Sequence, residues 1–320
     1  MIKKEQTTPR IILSHEAALV RLEANHPEVP EIQEKLSLWK AGFSGEKSMS
    51  YPLSLLNDKE YYIFHNLRLF NGINYFQIDI LLATLKLLTI LENKNWKGTV
   101  LFDGEFKQVV RTINGTETGL MNPLTQAHLH QVQLTNWLQN NNFPSIPIQY
   151  LVVFSNASTI IKSVKYSNIV SNHVLHSYNV PFKLKEISNK YTKEVFTKSD
   201  IRRLTKVFLK SHEENNESFI ERNHINIHDL KRGICCSTCN SLQLIKKYNF
   251  WYCHSCNSRV VDAHIHSIKH YALLVRDTFS IGEIAYFLNV SRQSAYRMVK
   301  SMNLKAYKNG RKLIYHFQLD

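Results

Sequence analysis

Hydrophobic and polar positions along the chain fall into stretches of different period. Ile32, Leu36 and Trp39 form one stripe across Glu31–Ala41, which predicts a helix. A second short helical piece follows Gly45, and Pro52 breaks or restarts it. Strand-like runs come next at Tyr61–Phe70, Tyr75–Ala83 and Leu87–Asn93. A shorter pair, Thr99–Phe102 and Phe106–Arg111, precedes the Asn114-Gly115 turn signal. Asn122–Asn140 predicts a helix, with Pro123 early and Leu129, Val132, Leu134, Trp137 and Leu138 as its apolar positions. Ile148–Phe154 is a continuous apolar run of the buried-strand type. Helix, three strands, extra hairpin, helix, strand is the order of one α/β domain.

Beyond it the pattern changes. Phe182–Asn226 is charged, with a helix over Lys198–Glu214, and reads as a connector. Ile234–His264 holds every cysteine of the chain. Over Thr278–Leu304, Ser280 and Glu283 make a capping box that starts a helix with Ile281, Ile284, Ala285 and Leu288 on its apolar face. Asn289-Val290 supplies a turn, and Ser291 caps a second helix that turns Ala295, Val299 and Met302 inward. The basic stretch Lys305–Lys312, with Gly310 as a turn and strand-like Ile314–Phe317, is compatible with a winged helix-turn-helix. The expected organisation is an N-terminal extension (1–30), the α/β domain (31–181), a helical connector (182–230), a zinc ribbon (231–266) and a helix-turn-helix unit (267–320).

Composition sharpens this in two respects. No apolar run approaches the ~20 residues needed to cross a membrane, and Met1–Arg10 is followed by no signal-peptide core. The expectation is a cytoplasmic protein with no membrane partner. Charge is uneven: of the net +14, Lys231–Asp320 carries 14 basic and 4 acidic residues, or +10. A field gathered at one end predicts a polyanionic partner there, most simply DNA.

Cys236-x-x-Cys239 and Cys253-x-x-Cys256 have zinc-ribbon spacing, and the apolar residues between them suit a hairpin that returns one pair to the other. Four thiolates leave no open position, so the Zn²⁺ would be structural and the segment's fold would depend on it. Cys235 is an alternative ligand with worse spacing, and His254 is expected to face solvent. On the second C-terminal helix, Arg292, Gln293, Tyr296, Arg297 and Lys300 are left facing outward, donor-rich side chains where base edges are reached in the major groove. This segment resembles the helix-turn-helix of excisionase-like and resolvase-like DNA-binding domains.

The remaining chemistry lies in Gln77-Ile-Asp79 and in Glu92-Asn-Lys94-Asn-Trp-Lys-Gly98. Residues two apart on a strand share a face, so Glu92 and Lys94 point the same way, and Asp79 can meet them across a hairpin. Charges inside apolar strands are costly unless they pair or hold a metal. Asp79 and Glu92 offer hard oxygen ligands for Mg²⁺ (or Mn²⁺), and the Asn93 carbonyl could add another. An internal ion pair of Lys94 with either acid explains the same pattern equally well.

Gln77-Ile-Asp79, then Glu92-x-Lys94-Asn-Trp-x-Gly98, then Asn122-Pro-Leu with Gln126 and His130, then Val152-Val-Phe-Ser155, resembles the nuclease-related domain (NERD) family. That family is placed in the PD-(D/E)xK, restriction-endonuclease-like superfamily, and the likeness covers about Ser44 to Ala157. It implies a mixed central sheet flanked by helices, metal binding by Asp79 and Glu92, and catalysis by Lys94. It also implies a supporting acid at Glu46 and a polar helix position at Gln126, with His130 secondary. The function expected is a Mg²⁺-dependent deoxyribonuclease targeted by the zinc ribbon and helix-turn-helix. The alternatives are a non-catalytic DNA-binding regulator on the same scaffold and an RNA-directed nuclease.

Overall fold

The central sheet has six strands in the order Ile2–Lys4, Tyr62–Phe70, Tyr75–Ala83, Leu88–Lys94, Ile148–Phe154 and Val174–His176. The three strands from Tyr62 to Lys94 form an antiparallel meander. Leu88–Lys94 pairs parallel with Ile148–Phe154, which pairs parallel with Val174–His176, so the sheet is mixed. The parallel step requires a crossover, and the helix Pro123–Asn140 supplies it. The computed structural model describes residues 1–165 and 167–319.

Contacts divide the chain into two compact units, Met1–Thr7 with Ala41–Glu214, and Thr8–Lys40 with Asn215–Asp320. In the first, one face of the sheet packs Phe64, Leu67, Leu69, Ile78, Leu81 and Ile90 against Leu134, Trp137 and Leu138 of the crossover helix. The helix Lys198–Ser211 adds Ile201, Leu204 and Phe208 to the same core, started by a capping box of Thr197 and Asp200. The segment expected as a connector is therefore partly core, because its apolar positions recur at helical spacing behind a strong cap. The opposite face packs Ile63, Ile80, Leu82, Leu91 and Val153 against Met49, Leu53, Val180 and Leu184.

The strand pair Tyr62–Phe70 and Tyr75–Ala83 contains an irregularity. Phe64 lies in the first core, yet so do Leu67 and Leu69, which have the opposite parity. On the partner strand Phe76 and Ile78 give way to Leu81 and Ala83 in that same core. Both strands change phase at one place, where Asn66 is left-handed (φ 48°) and neither Asn66 nor Asp79 is laddered. Because each strand carries one extra residue, the register stays in step on both sides, as for a bulge matched on its partner.

A second sheet orders Thr116–Leu120, Gln108–Ile113, Thr99–Asp103 and Ile160–Val164. Two of its strands, 116–120 and 160–164, escaped the sequence pattern: the first is polar and exposed, and the apolar residues of the second, Ile160, Ile161 and Val164, do not alternate with polar ones. The helix Val29–Ser48 runs unbroken through Gly45, and Pro52 falls in a separate short helix, Ser50–Ser54. The first expected piece and the start of the second are thus one helix, and the chain restarts a short helix at Ser50 that holds Pro52.

In the second unit the residues expected as an N-terminal extension are core. Ala17 and Ala18 of the helix Arg10–Arg21, and Leu22 at its C-cap, join Val29 and Ile32 in one cluster with Trp251, Ile268, Ile284, Leu288 and Val299. The short strands Leu244–Lys246, Trp251–Cys253 and Arg259–Val260 form a small antiparallel sheet. Thr278–Phe279, Lys312–His316 and Lys305–Asn309 form another, beside the helices Ile281–Leu288 and Arg292–Ser301. Among the described residues no helix is long and apolar enough to cross a membrane.

Candidate active site and the cysteine cluster

The phase change in the sheet positions the first acid. Asp79 leaves the ladder at the matched irregularity, and its Oδ2 accepts the backbone N–H of Asn93 at 3.0 Å. Glu92 and Lys94 share a face of the next strand, as their spacing requires. Lys94 Nζ donates to Glu92 Oε1 at 2.7 Å and to Gln126 Oε1 at 3.1 Å. Gln126 stands in the first turn of the crossover helix, which Pro123 opens and the Asn122 side chain caps through the N–H of Leu124. One turn further on, His130 Nδ1 lies 3.3 Å from Glu92 Oε2, a close approach without hydrogen-bond alignment.

Glu46 arrives from the opposite direction because Gly45 has no side chain. A Cβ at Gly45 would lie 2.4 Å from Asn95 Cβ and 2.7 Å from Ser155 Oγ, so only glycine lets the helix come this close. Asn95 fastens it by donating from Nδ2 to the carbonyl of Ala41 at 2.7 Å. The Glu46 carboxylate then accepts from Gln6 Nε2 at 3.3 Å, and the side chain of Asn66, the left-handed residue beside Asp79, helps to hold its pKa down.

Electrostatics mark these groups as interdependent. Burial, reinforced by the Glu92 and Glu46 carboxylates, pushes the Asp79 pKa well above its ordinary value. Burial also raises Glu46, with help from Glu92 and partial relief from its Asn66 and Gln6 donors. Glu92 goes the other way. Although only 1 % exposed, it is held below the ordinary carboxylate range because His130 and the Lys94 ammonium outweigh its burial. Among the described residues its Oε2, like Asn93 Oδ1 and Asn66 Oδ1, is buried and finds no hydrogen-bond donor.

Of the residues expected in this cluster, Lys94 contacts Glu92 and Gln126 directly, while Glu46 and Asp79 influence each other, Glu92 and Lys94 through their charges. Asn66 and Gln6 are further members that the sequence reading passed over. A signal for Asn66 existed, since the apolar positions of its strand change parity there.

In the second unit the four expected sulfurs converge. Those of Cys236, Cys239, Cys253 and Cys256 all lie within 4.8 Å of one another, with 3.7 Å between Cys236 and Cys256 and 3.5 Å between Cys239 and Cys253. Tetrahedral thiolates about 2.3 Å from one ion would stand about 3.8 Å apart, so the cluster suits a metal of that kind. Cys235 turns away. Its Sγ lies with His266 and His270, and the fully buried Arg21 donates to that sulfur (3.4 Å), to His270 Nδ1 (3.3 Å) and to the carbonyls of Lys231 and Gly233. The guanidinium already supplies the cation at this second cluster. Arg292, Gln293, Tyr296, Arg297 and Lys300 are all exposed on the helix Arg292–Ser301, while Ala295 and Val299 are buried.

The raised Asp79 pKa has a measurable consequence. A carboxyl whose folded pKa exceeds its unfolded value, ordinarily about 3.9, costs nothing when protonated in both states. The cost enters as pH rises from the unfolded toward the folded value, and persists above it. In buffer without added Mg²⁺, Asp79→Asn is expected to raise the thermal midpoint at pH 7, with the gain disappearing near pH 4. Equal gains at both pH values, or a loss at pH 7, would contradict this electrostatic account.

Comparison with known proteins agrees with the geometry. Residues 41–155 match the family described as the nuclease-related domain. An uncharacterized protein of Bacillus anthracis is 24 % identical over 190 residues, covering 52 % of this chain and 89 % of that protein. No solved structure is significantly similar to the chain. The matched span runs from the C-terminal part of the Glu46 helix to Ser155 and encloses the whole carboxylate–lysine cluster: residues 41–155 of this chain are a nuclease-related domain.

Proposed function

We propose that the chain is a Mg²⁺-dependent nuclease (Mn²⁺ substituting) that hydrolyses phosphodiester bonds of DNA, brought to its substrate by a C-terminal zinc ribbon and helix-turn-helix. One observation carries the reading: within the nuclease-related domain, Lys94 donates to Glu92 and Gln126 beside two further carboxylates, Asp79 and Glu46, whose pKa values burial and the neighbouring acids raise. A buried ion pair needs one acid per lysine. A surplus of acids that raises its own pKa values is a standing cost, and a divalent cation relieves it.

The donor set fits such an ion. Asp79 and Glu92 offer hard oxygens, and Glu92 Oε2 is buried and undonated. Asp79 and Glu92 would hold the metal and Glu46 would support it. When bound, Mg²⁺ activates water and neutralises phosphate charge. The protein's own groups do the positioning. Gln126 accepts one proton of the Lys94 ammonium and Glu92 another, which leaves a third to face a phosphate oxygen or the attacking water. His130 keeps Glu92 ionised from the side away from Lys94.

Substrate choice rests on the second unit. Its basic end and the exposed Arg292, Gln293, Tyr296, Arg297 and Lys300, presented from the N-terminal part of a capped helix, favour duplex DNA over RNA. The four cysteines would bind structural Zn²⁺.

Three outcomes are expected. With Mg²⁺ or Mn²⁺ the protein should cleave DNA, and Asp79→Ala and Lys94→Ala should each lower the rate at least about a hundredfold. Intact plasmid, linear and single-stranded DNA with all three proteins, while DNA is still retarded on a gel, would make the chain a non-catalytic DNA binder. Arg292→Ala/Arg297→Ala should weaken duplex binding and reduce its salt slope by about two; an unchanged slope would remove this helix from the interface. Elemental analysis should find about one zinc per chain. A Cys239→Ser/Cys256→Ser variant should lose it along with DNA capture, and zinc retained by that variant would exclude the four-thiol site.

A further inference from the structure

The small sheet of the cysteine-bearing segment has one face committed to the core and one left in solvent. Leu244, Trp251, Cys253 and Val260 pack into the hydrophobic cluster of their unit. Alternation then turns the intervening row outward: Ile245 pairs with Tyr252, and Tyr252 with Arg259, across three adjacent strands. Ile245 is 47 % exposed. The turn between the first two strands carries Lys247, Tyr248 and Phe250, and Tyr248 is 94 % exposed, with no intramolecular packing to account for it. The Arg259 guanidinium stacks on the Phe250 ring at 4.1 Å from its centroid.

The charge of this face is one-sided. Between Lys231 and Arg276 the one acidic residue is Asp262, whose Oδ1 accepts from Ser237 Oγ at 3.2 Å. Three aromatic rings and two cations with no opposing acid form a surface suited to a ligand that is both polyanionic and rich in flat apolar faces. A protein partner supplies neither regularly, and a duplex hides its base faces. Only an unpaired polynucleotide presents both along its length.

We infer that the exposed face and tip of this sheet form a stacking platform for single-stranded nucleic acid. Tyr248 and Tyr252 take bases, while Lys247 and Arg259 take the backbone. The inference rests on the nucleic-acid reading of the chain, but not on its catalysis or on the helix Arg292–Ser301. It gives the protein two separable contacts, one for duplex and one for a strand that has left it.

Fluorescence anisotropy of the full chain in buffer without Mg²⁺ tests this, using labelled oligothymidylate and oligouridylate of about 20 nucleotides and a duplex of that length. Tyr248→Ala/Tyr252→Ala should weaken binding to both single strands about tenfold or more, and Tyr248→Phe/Tyr252→Phe should retain it. Duplex binding should be unchanged in both. Arg292→Ala/Arg297→Ala should show the reverse pattern, so failure of the duplex contact is distinguishable from failure of this one. Zinc content equal to that of the parent protein verifies that the segment is folded. Single-strand affinity unaltered in the alanine variant with its zinc intact, or equal losses on single strands and duplex, would overturn the platform.

Discussion

Three carboxylates, Glu46, Asp79 and Glu92, share the neighbourhood of one ammonium, that of Lys94, and the first unit is built around making that tolerable. Glu92 is the best compensated of them, with Lys94 donating to one oxygen and His130 3.3 Å from the other. Asp79 retains one backbone donor, and Glu46 retains the Gln6 amide, with the Asn66 side chain also lowering its pKa. Neither set offsets burial and mutual repulsion, so both acids stay raised. Apolar residues of similar size would pack there at lower cost.

Holding the acids together takes backbone devices that only make sense in combination. The paired phase change at Asn66 and Asp79 frees Asp79 from the ladder without shifting the register of the meander. Gly45 lets one helix close on Asn95 and Ser155, which brings Glu46 in. The Asn122–Pro123 start aims the crossover helix so that Gln126 and His130 look at Glu92 and Lys94. Three elements that enter from different directions are each fixed by a local rule of backbone or cap chemistry.

The second unit solves a different problem with similar means. A fully buried guanidinium is among the costliest groups to place in a core, and Arg21 is satisfied by two carbonyls, a sulfur, an imidazole and the face of Phe287. Those partners come from Lys231, Gly233, Cys235 and His270, so the N-terminal helix is tied to the segment that leads into the cysteine cluster. Cys235 is engaged there, which separates it from the adjacent Cys236 and leaves four sulfurs, not five, to converge.

Much of this was legible in the chain itself. The strands Tyr75–Ala83 and Ile148–Phe154 coincide with their apolar runs, and the two C-terminal helices begin at their capping residues, because period and cap chemistry are local properties. The Glu92–Lys94 face and the Cys-x-x-Cys pairs follow from spacing alone, since a fixed period fixes which side chains are neighbours. Other features had no local signature. The exposed strands 116–120 and 160–164 have no apolar alternation to betray them. The docking of residues 8–40 with the C-terminal segment is a long-range choice, made when Ala17, Ala18 and Leu22 find an apolar surface more than two hundred residues away along the chain. The approach of Glu46 to Asp79 and the diversion of Cys235 to Arg21 are of the same kind. Sequence determined which chemistry was present and on which face of each element it lay; tertiary structure decided which charges met, because burial and distance, not order along the chain, set what a charge costs.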